Sequence, residues 1–256
     1  MHDPCSEVPW RLSLSPPLRP CSNSVRLRPV RGLLFDLGDV LYDATVWRRW
    51  LLQLLSRLGL HTHYRAFFHL GDHEYLADVY RGRRDFNEAF RVFLLAAGLS
   101  HGQIDEVQAA CKARRTECET TARALPGVKT TLRRLHASGI ALGVTCNCEH
   151  PAADTIRQIE RLGLGDLFTT VVTSVDVGQV LPEPTGYRAA LAALKLEAAQ
   201  TAFVGHDGEE LAGAARLGMP TIAFNFDPDA QADVYLARFE ELCELLATPS
   251  PYAAAG

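Results

Sequence analysis

The sequence lacks the marks of several protein classes, and each absence excludes something. No apolar run approaches the roughly 20 residues that a membrane-spanning helix needs. Neither sign of charge is in excess. Lys and Arg total 26 against 30 Asp and Glu, a formal net charge of −4, which removes any global attraction to nucleic acid or an anionic membrane. There is no paired cysteine framework. The seven cysteines, at 5, 21, 111, 118, 146, 148 and 243, are odd in number and scattered, with no signal-like apolar segment ahead of them. A reduced, cytoplasmic interior is expected. Cys146 and Cys148 form a lone C-x-C without a second half-site to complete a zinc tetrahedron, and cysteines so placed are mostly small buried hydrophobes. No internal repeat is present. What is there, 47% apolar and 22% charged residues over a chain of 256, is the composition of a globular protein of one large or two small domains. A local phosphate site stays open, because one helix end and a few backbone N–H groups suffice to hold an anion.

Residues 1–29 carry six prolines with no helical or strand period, so a disordered Pro/Arg-rich tail is expected there. Residues 248–256 read as a second flexible tail. Regular structure is expected from Val30, where Gly32-Leu33-Leu34-Phe35 has the short, continuous apolar pattern of a buried parallel strand. Residues 44–122 then read as helices. Trp47, Trp50, Leu51, Leu54, Leu55 and Leu58 mark one helical face that Gly59 ends. Phe86, Ala89, Phe90, Phe93 and Leu94 mark another, and Ser100 with Gln103 is a capping-box signature.

From Gly127 the rhythm alternates. Strands are expected at Ile140–Val144, Val171–Thr173, Ala202–Val204 and Thr221–Phe224. Helices are expected near 128–138, 150–163, 184–195 and 208–217, with a last one from Ala230 to Leu246. Such alternation implies an α/β fold with a doubly wound, Rossmann-like parallel sheet. The simplest drawing has a core of 30–43 and 123–247, with a helical cap, 44–122, inserted after the first strand.

Ligands of an open α/β sheet sit beyond the carboxyl ends of the strands, so the loops after the strands carry the chemistry. These loops contain Asp36-Leu37-Gly38-Asp39, Thr145-Cys146-Asn147, Gly178-Gln179-Val180-Leu181-Pro182 and Gly205-His206-Asp207-Gly208-Glu209-Glu210. Carboxylates ending the first and fourth strands would converge, and hard oxygen donors so arranged suit Mg²⁺.

On these four segments the chain resembles the haloacid dehalogenase superfamily, in the branch with a helical cap after the first strand. The resemblance covers about residues 30–247. It implies that Asp36 is the nucleophile, attacking a phosphoryl group to form an aspartyl-phosphate. It implies Mg²⁺ held by Asp36, the Gly38 carbonyl and Asp207, and a phosphate cradle at Cys146 and Asn147. The implied partner is a small phosphorylated substrate, with no nucleic acid and no membrane.

The departures are as informative as the matches. Gly38 stands where many phosphatases of the family carry a second, proton-moving Asp, and Asp39, one residue on, is expected to point elsewhere. Cys146 replaces a hydroxyl donor with a weaker thiol. Leu181 stands in place of a Lys that would offset the charge of nucleophile and phosphate. His206 opens the fourth segment in place of an Asp, leaving Asp207 and Glu210 as its acids. His206 is either a ligand, which would favour a softer metal than Mg²⁺, or a loop histidine bonded to backbone.

The cap adds His61, His63, His69 and His73, the last two one helical turn apart, and Arg48, Arg49, Arg65, Arg81, Arg83 and Arg84. These make a zinc site or a solvated surface, and the arginines are candidates for selecting an anionic substrate. Three functions remain open: a metal-dependent phosphatase, a catalytically silent fold that binds a ligand or partner, and a haloacid dehalogenase proper.

Overall fold

The computed structural model describes residues 30–246. The expected tails at 1–29 and 248–256 lie outside the described residues.

The short apolar runs become six strands: β1 (Gly32–Phe35), β2 (Ala141–Cys146), β3 (Thr170–Thr173), β4 (Thr201–Gly205), β5 (Thr221–Phe224) and β6 (Val234–Leu236). All pairings are parallel and the spatial order is β3-β2-β1-β4-β5-β6. The chain therefore winds outward from β1 on one side, then crosses back to β4 and winds outward on the other. A crevice opens where the winding reverses, between the carboxyl ends of β1 and β4. Phe35 pairs with Val144 on one side and with Val204 on the other, so the residues following β1, β2 and β4 emerge side by side.

All four residues of β1 are buried, because helices cover both faces of the sheet. Leu33 and Phe35 point to one face. There they pack with Val128, Leu132, Leu142, Val144, Phe239 and Leu242 under α6 (Val128–Ala137), α7 (Ala152–Arg161) and α11 (Glu241–Leu246). Leu34 points to the other. It packs with Tyr187, Ala190, Leu191, Phe203 and Leu211 under α9 (Pro184–Leu194) and α10 (Gly208–Arg216). Between β3 and α9 lies one short turn of helix, α8 (Ser174–Val177).

Between β1 and α6 the chain forms α1 (Thr45–Arg57), α2 (Tyr64–Leu70), a π-helical turn (Gly71–Tyr75), α3 (Ala77–Tyr80), α4 (Phe86–Ala96) and α5 (His101–Thr121). The expected apolar faces meet there in a separate core of Leu51, Leu55, Phe67, Phe68, Phe90, Phe93, Leu94, Ile104 and Val107. Gly59 leaves α1 at φ 89°, and Ser100 with Gln103 forms both hydrogen bonds of a capping box. Three arginines of this helical segment reach carboxylates on three different loops of the core. Arg65 meets Asp227 and Asp229, Arg81 meets Glu183, and Arg115 meets Glu149.

One expectation is corrected. Residues 230–246 do not form a single helix. Asp233 Oδ2 accepts from the N–H and hydroxyl of Thr221, at 2.8 and 2.9 Å, which draws the following Val234–Leu236 alongside β5 as an edge strand. The helix is confined to α11. No described helix is long and apolar enough to cross a membrane.

Phe239, fully buried just before α11, stacks on Phe35 with centroids 6.0 Å apart and meets Phe224 edge-on at 5.2 Å. Phe239→Ala is expected to lower the unfolding free energy by about 3–5 kcal/mol in urea titrations, the usual loss for a large buried ring.

Candidate active site

Asp36 follows β1 directly, and its backbone N–H extends the sheet ladder to the Val204 carbonyl at 2.9 Å. Its carboxylate is buried, and each of its two oxygens has a hydrogen-bond partner. Oδ1 accepts the Leu37 N–H at 2.7 Å, and Oδ2 lies 2.9 Å from Nδ1 of His206, the first residue after β4. A carboxylate has only lone pairs to offer, so the proton of this hydrogen bond sits on Nδ1. Burial works against a charged imidazole at this position. The bond to Asp36 and the negative charges of Asp36, Glu210 and Asp39 outweigh it, and hold the His206 pKa at about 10 against an ordinary 6.5. The cation beside Asp36 therefore comes from the fourth loop.

Leu181 does not supply it. Its side chain is buried in the apolar layer with Leu34, Tyr187 and Leu191. Its backbone is engaged as well: Asn147 Oδ1 accepts the Leu181 N–H at 2.7 Å, and Asn147 Nδ2 donates to the Leu181 carbonyl at 3.1 Å. Nδ2 also donates to Glu210 Oε1 at 3.0 Å, so Asn147 braces the loops after β2, β3 and β4. A tight approach of α10 to the third loop supports this brace. A Cβ on Gly213 would come within 2.7 Å of Pro182 Cβ and 2.9 Å of its carbonyl, so only glycine fits there.

Glu210 lies one turn into α10, where the Tyr187 hydroxyl donates to its carbonyl at 2.7 Å. Burial and the charges of Asp36 and Asp207 push its carboxyl well above the usual range, and Oε2 is a buried oxygen without a hydrogen-bond partner among the described residues. Asp207 is the N-cap of α10, with Oδ1 accepting from Glu209 and Glu210 N–H at 2.8 and 3.0 Å.

Asp39 was expected to point elsewhere, and the structure turns it inward. Its backbone takes the left-handed conformation at φ 57°, which Asp tolerates better than most side chains. Its N–H donates to Tyr42 O at 2.8 Å, its carbonyl accepts from Asn225 Nδ2 at 2.9 Å, and Oδ1 accepts from Ala44 N–H at 2.9 Å. So held, Asp39 lines the same cleft as Asp36, and burial raises its carboxyl pKa against the pull of His206 and Arg48.

The cleft has a volume of about 850 Å³ and lies between the strand ends and the helical segment. Cys146, Asn147, Cys148 and Gly38 line it beside Asp36, His206, Asp207 and Glu210. The far wall carries Arg48, Asp72 and Tyr80, joined by two bonds of 2.9 Å to the two oxygens of Asp72. Arg115 lies there too, over the rings of Trp47 and Phe86. Of these wall residues only Arg48 stood out in the sequence. The others are separated along the chain and carry no motif. His69 and His73 do come together, ring centroids 4.2 Å apart. No group of three or more His, Cys, Asp or Glu among the described residues is arranged to hold a metal, so the zinc reading of the cap histidines finds no third ligand.

The same test applies to Mg²⁺, which needs several oxygen donors converging on one point. At Asp36 the place after β4 presents an N–H instead of an oxygen, Asp207 spends Oδ1 on capping α10, and Glu210 Oε1 faces Asn147. Asp36, the Gly38 carbonyl, Asp207 Oδ2 and Glu210 Oε2 are the oxygens lining the cleft that would hold the ion.

The sequence model of the haloacid dehalogenase-like hydrolases matches residues 30–218. The chain belongs to the haloacid dehalogenase-like hydrolases. Among curated proteins it is 34% identical over 110 residues to the ribulose-1,5-bisphosphate 5-phosphatase of Halopiger xanaduensis, covering 43% of this chain and 44% of that protein. It is 33% identical over 133 residues to the phosphoglycolate phosphatase of Rhodospirillum rubrum, 49% and 54% of the two chains. These matches span about half the length of each relative. A longer match, 26% identical over 233 residues, is to the glyceraldehyde 3-phosphate phosphatase of Pyrococcus furiosus, 88% and 92% of the chains. Among solved structures, the hydrolase YfnB of Bacillus subtilis, bound to magnesium, superposes with a TM-score of 0.66 at 17% identity, covering 86% of this chain and 99% of that one. The 2-haloacid dehalogenase of Pseudomonas syringae does so with a TM-score of 0.56 at 23% identity, 85% and 98% of the chains. These superpositions establish the hydrolase fold with its six-stranded parallel sheet.

Because the folded-state pKa of His206 lies above its ordinary value, the pair stabilises the fold fully below pH 6.5, and that contribution is lost as pH rises through about 10. Urea titrations from pH 6 to 10.5 are expected to show wild type losing its advantage over His206→Gln across this window. An advantage that is constant or grows with pH contradicts the charged pair.

Proposed function

We propose that this hydrolase is a phosphatase for a small phosphorylated metabolite, working through an aspartyl-phosphate on Asp36. One observation carries the reading: a carboxylate at the end of the central strand, opening on a substrate-sized cleft, with an imidazolium hydrogen-bonded to one of its oxygens. The phosphatase names of the curated relatives support it.

In this reading an Asp36 oxygen attacks phosphorus and the ester oxygen departs. His206 holds Asp36 in place and offsets negative charge as the two anionic groups approach, which is the task of the absent Lys. Asp39 gives its proton to the departing oxygen and takes one back from the water that cleaves the acyl-phosphate. Burial raises its carboxyl pKa, which favours the protonated form that the first transfer needs. Asn147 braces the loops around the phosphate, and the Cys146 thiol lines its cradle. The helical segment 44–122 acts as the cap that shapes the substrate space, with Arg48 and Arg81 on its wall. Mg²⁺, where bound by Asp36, the Gly38 carbonyl and Asp207, would offset negative charge on the phosphoryl oxygens.

Phosphate release from a panel of small phosphate esters is expected to fall by at least about 10³-fold in Asp36→Asn and about 10²-fold in His206→Gln. Equal rates for wild type and Asp36→Asn overturn the proposal. No release by wild type from any ester favours a silent fold, for which the buried Leu181 argues. Halide release from a 2-haloacid, without phosphate release, identifies a dehalogenase.

Asp39 has its own signature. Asp39→Asn is expected to lose about 10²-fold on alkyl phosphates and far less on p-nitrophenyl phosphate, whose leaving group needs no proton. Equal losses on both make Asp39 structural.

A further inference from the structure

Cys146 lines the phosphate cradle of the reaction above, but neither of the two cysteines flanking Asn147 forms or breaks a bond in it. Successive side chains of an extended segment alternate, so Cys146 and Cys148 emerge on the same side. Their sulfurs lie 3.9 Å apart with no disulfide between them, and both line the cleft. Cys146 is buried and Cys148 is half-buried, which makes Cys148 the more accessible sulfur. Cys146 donates its thiol hydrogen to Cys148 Sγ, and Cys148 donates its own to the His150 carbonyl at 3.1 Å. The hydrogen bond to Cys148, burial, and the charges of Asp36 and Glu210 keep Cys146 a neutral thiol.

We propose that Cys146 and Cys148 form a reversible oxidation site for a low-molecular-weight disulfide such as glutathione disulfide. The Cys148 thiolate attacks one sulfur of the oxidant, forming a mixed disulfide and releasing one thiolate. Cys146 then attacks Cys148 Sγ, closes the Cys146–Cys148 bond and releases the second. The protein dithiol loses two electrons, the oxidant gains them, and the two thiol protons pass to the two leaving thiolates.

Closure shortens the sulfur separation from 3.9 Å to about 2 Å. Both ends of the Cys-Asn-Cys segment are anchored. Cys146 pairs with Thr173 across β2 and β3, and Cys148 exchanges two backbone hydrogen bonds with the Ser174 hydroxyl, at 3.0 and 3.2 Å. The change therefore falls on Asn147, the brace between Leu181 and Glu210. The oxidation site is independent of the phosphatase reading, while its effect on turnover rests on that reading.

The test incubates the full chain with glutathione disulfide, alkylates free thiols and digests with trypsin. Residues 135–157 form one tryptic peptide that contains both cysteines and no other. It is expected to be lighter by two hydrogens, to resist alkylation, and to regain both thiols with dithiothreitol. Cys146→Ser is expected to stop at a glutathione adduct on Cys148, and Cys148→Ser to remain unmodified on this peptide. Two free thiols in the treated wild type, a persistent glutathione adduct on it, or a cross-link to Cys118 overturns the site. Oxidised wild type is expected to release phosphate about 10²-fold more slowly, the scale of a 1 Å misplacement. Closure without any change in Asp36-dependent release overturns the link to Asn147.

Discussion

The hydrogen bond between His206 and Asp36 joins residues 170 positions apart, and the rest of the site is arranged around it. It exists because β1 and β4 are neighbours in register, with Phe35 beside Val204, so the first residue after each strand shares one space. Burial alone would strip the charge from His206. Asp36 keeps it, by supplying the counter-charge that the imidazolium has lost from solvent.

The pair also bears on its neighbours. Burial and the charges of Asp36 and Asp207 hold the Glu210 proton well above the usual range, and its Oε2 has no hydrogen-bond partner among the described residues. Asp207, at the start of α10, spends Oδ1 on capping bonds to Glu209 and Glu210. The fourth loop thus presents an N–H to Asp36 where the family's pattern presents an oxygen. In the proposed reading this cation takes the place of the Lys that Leu181 does not supply.

The helical segment meets the core through arginine–carboxylate pairs on the loops after β2, β3 and β5. These loops sit at the carboxyl edge of the sheet, the edge on which the cleft opens. Docking of the helices and shaping of the site are therefore one geometric problem, as the Arg115–Glu149 pair illustrates. It ties α5 to the residue immediately after Cys148.

Much of the fold was legible in the sequence because local periodicity reports burial. Gly32–Phe35 and Thr221–Phe224 read as strands residue for residue, and the Trp47–Leu58 face and the Ser100 box read as helix signals. The edge strand β6 was not legible, since its position depends on the contact of Asp233 with Thr221. By itself the sequence determined the alternating α/β order, the place of the helical segment and the position of Asp36 at a strand end. Tertiary structure decided which cation meets Asp36, where Asp39 turns and what Asn147 braces. It also decided how near the Cys146 and Cys148 sulfurs lie. Those outcomes depend on distances between separate loops, and a local residue pattern carries no information about such distances until the strands have paired.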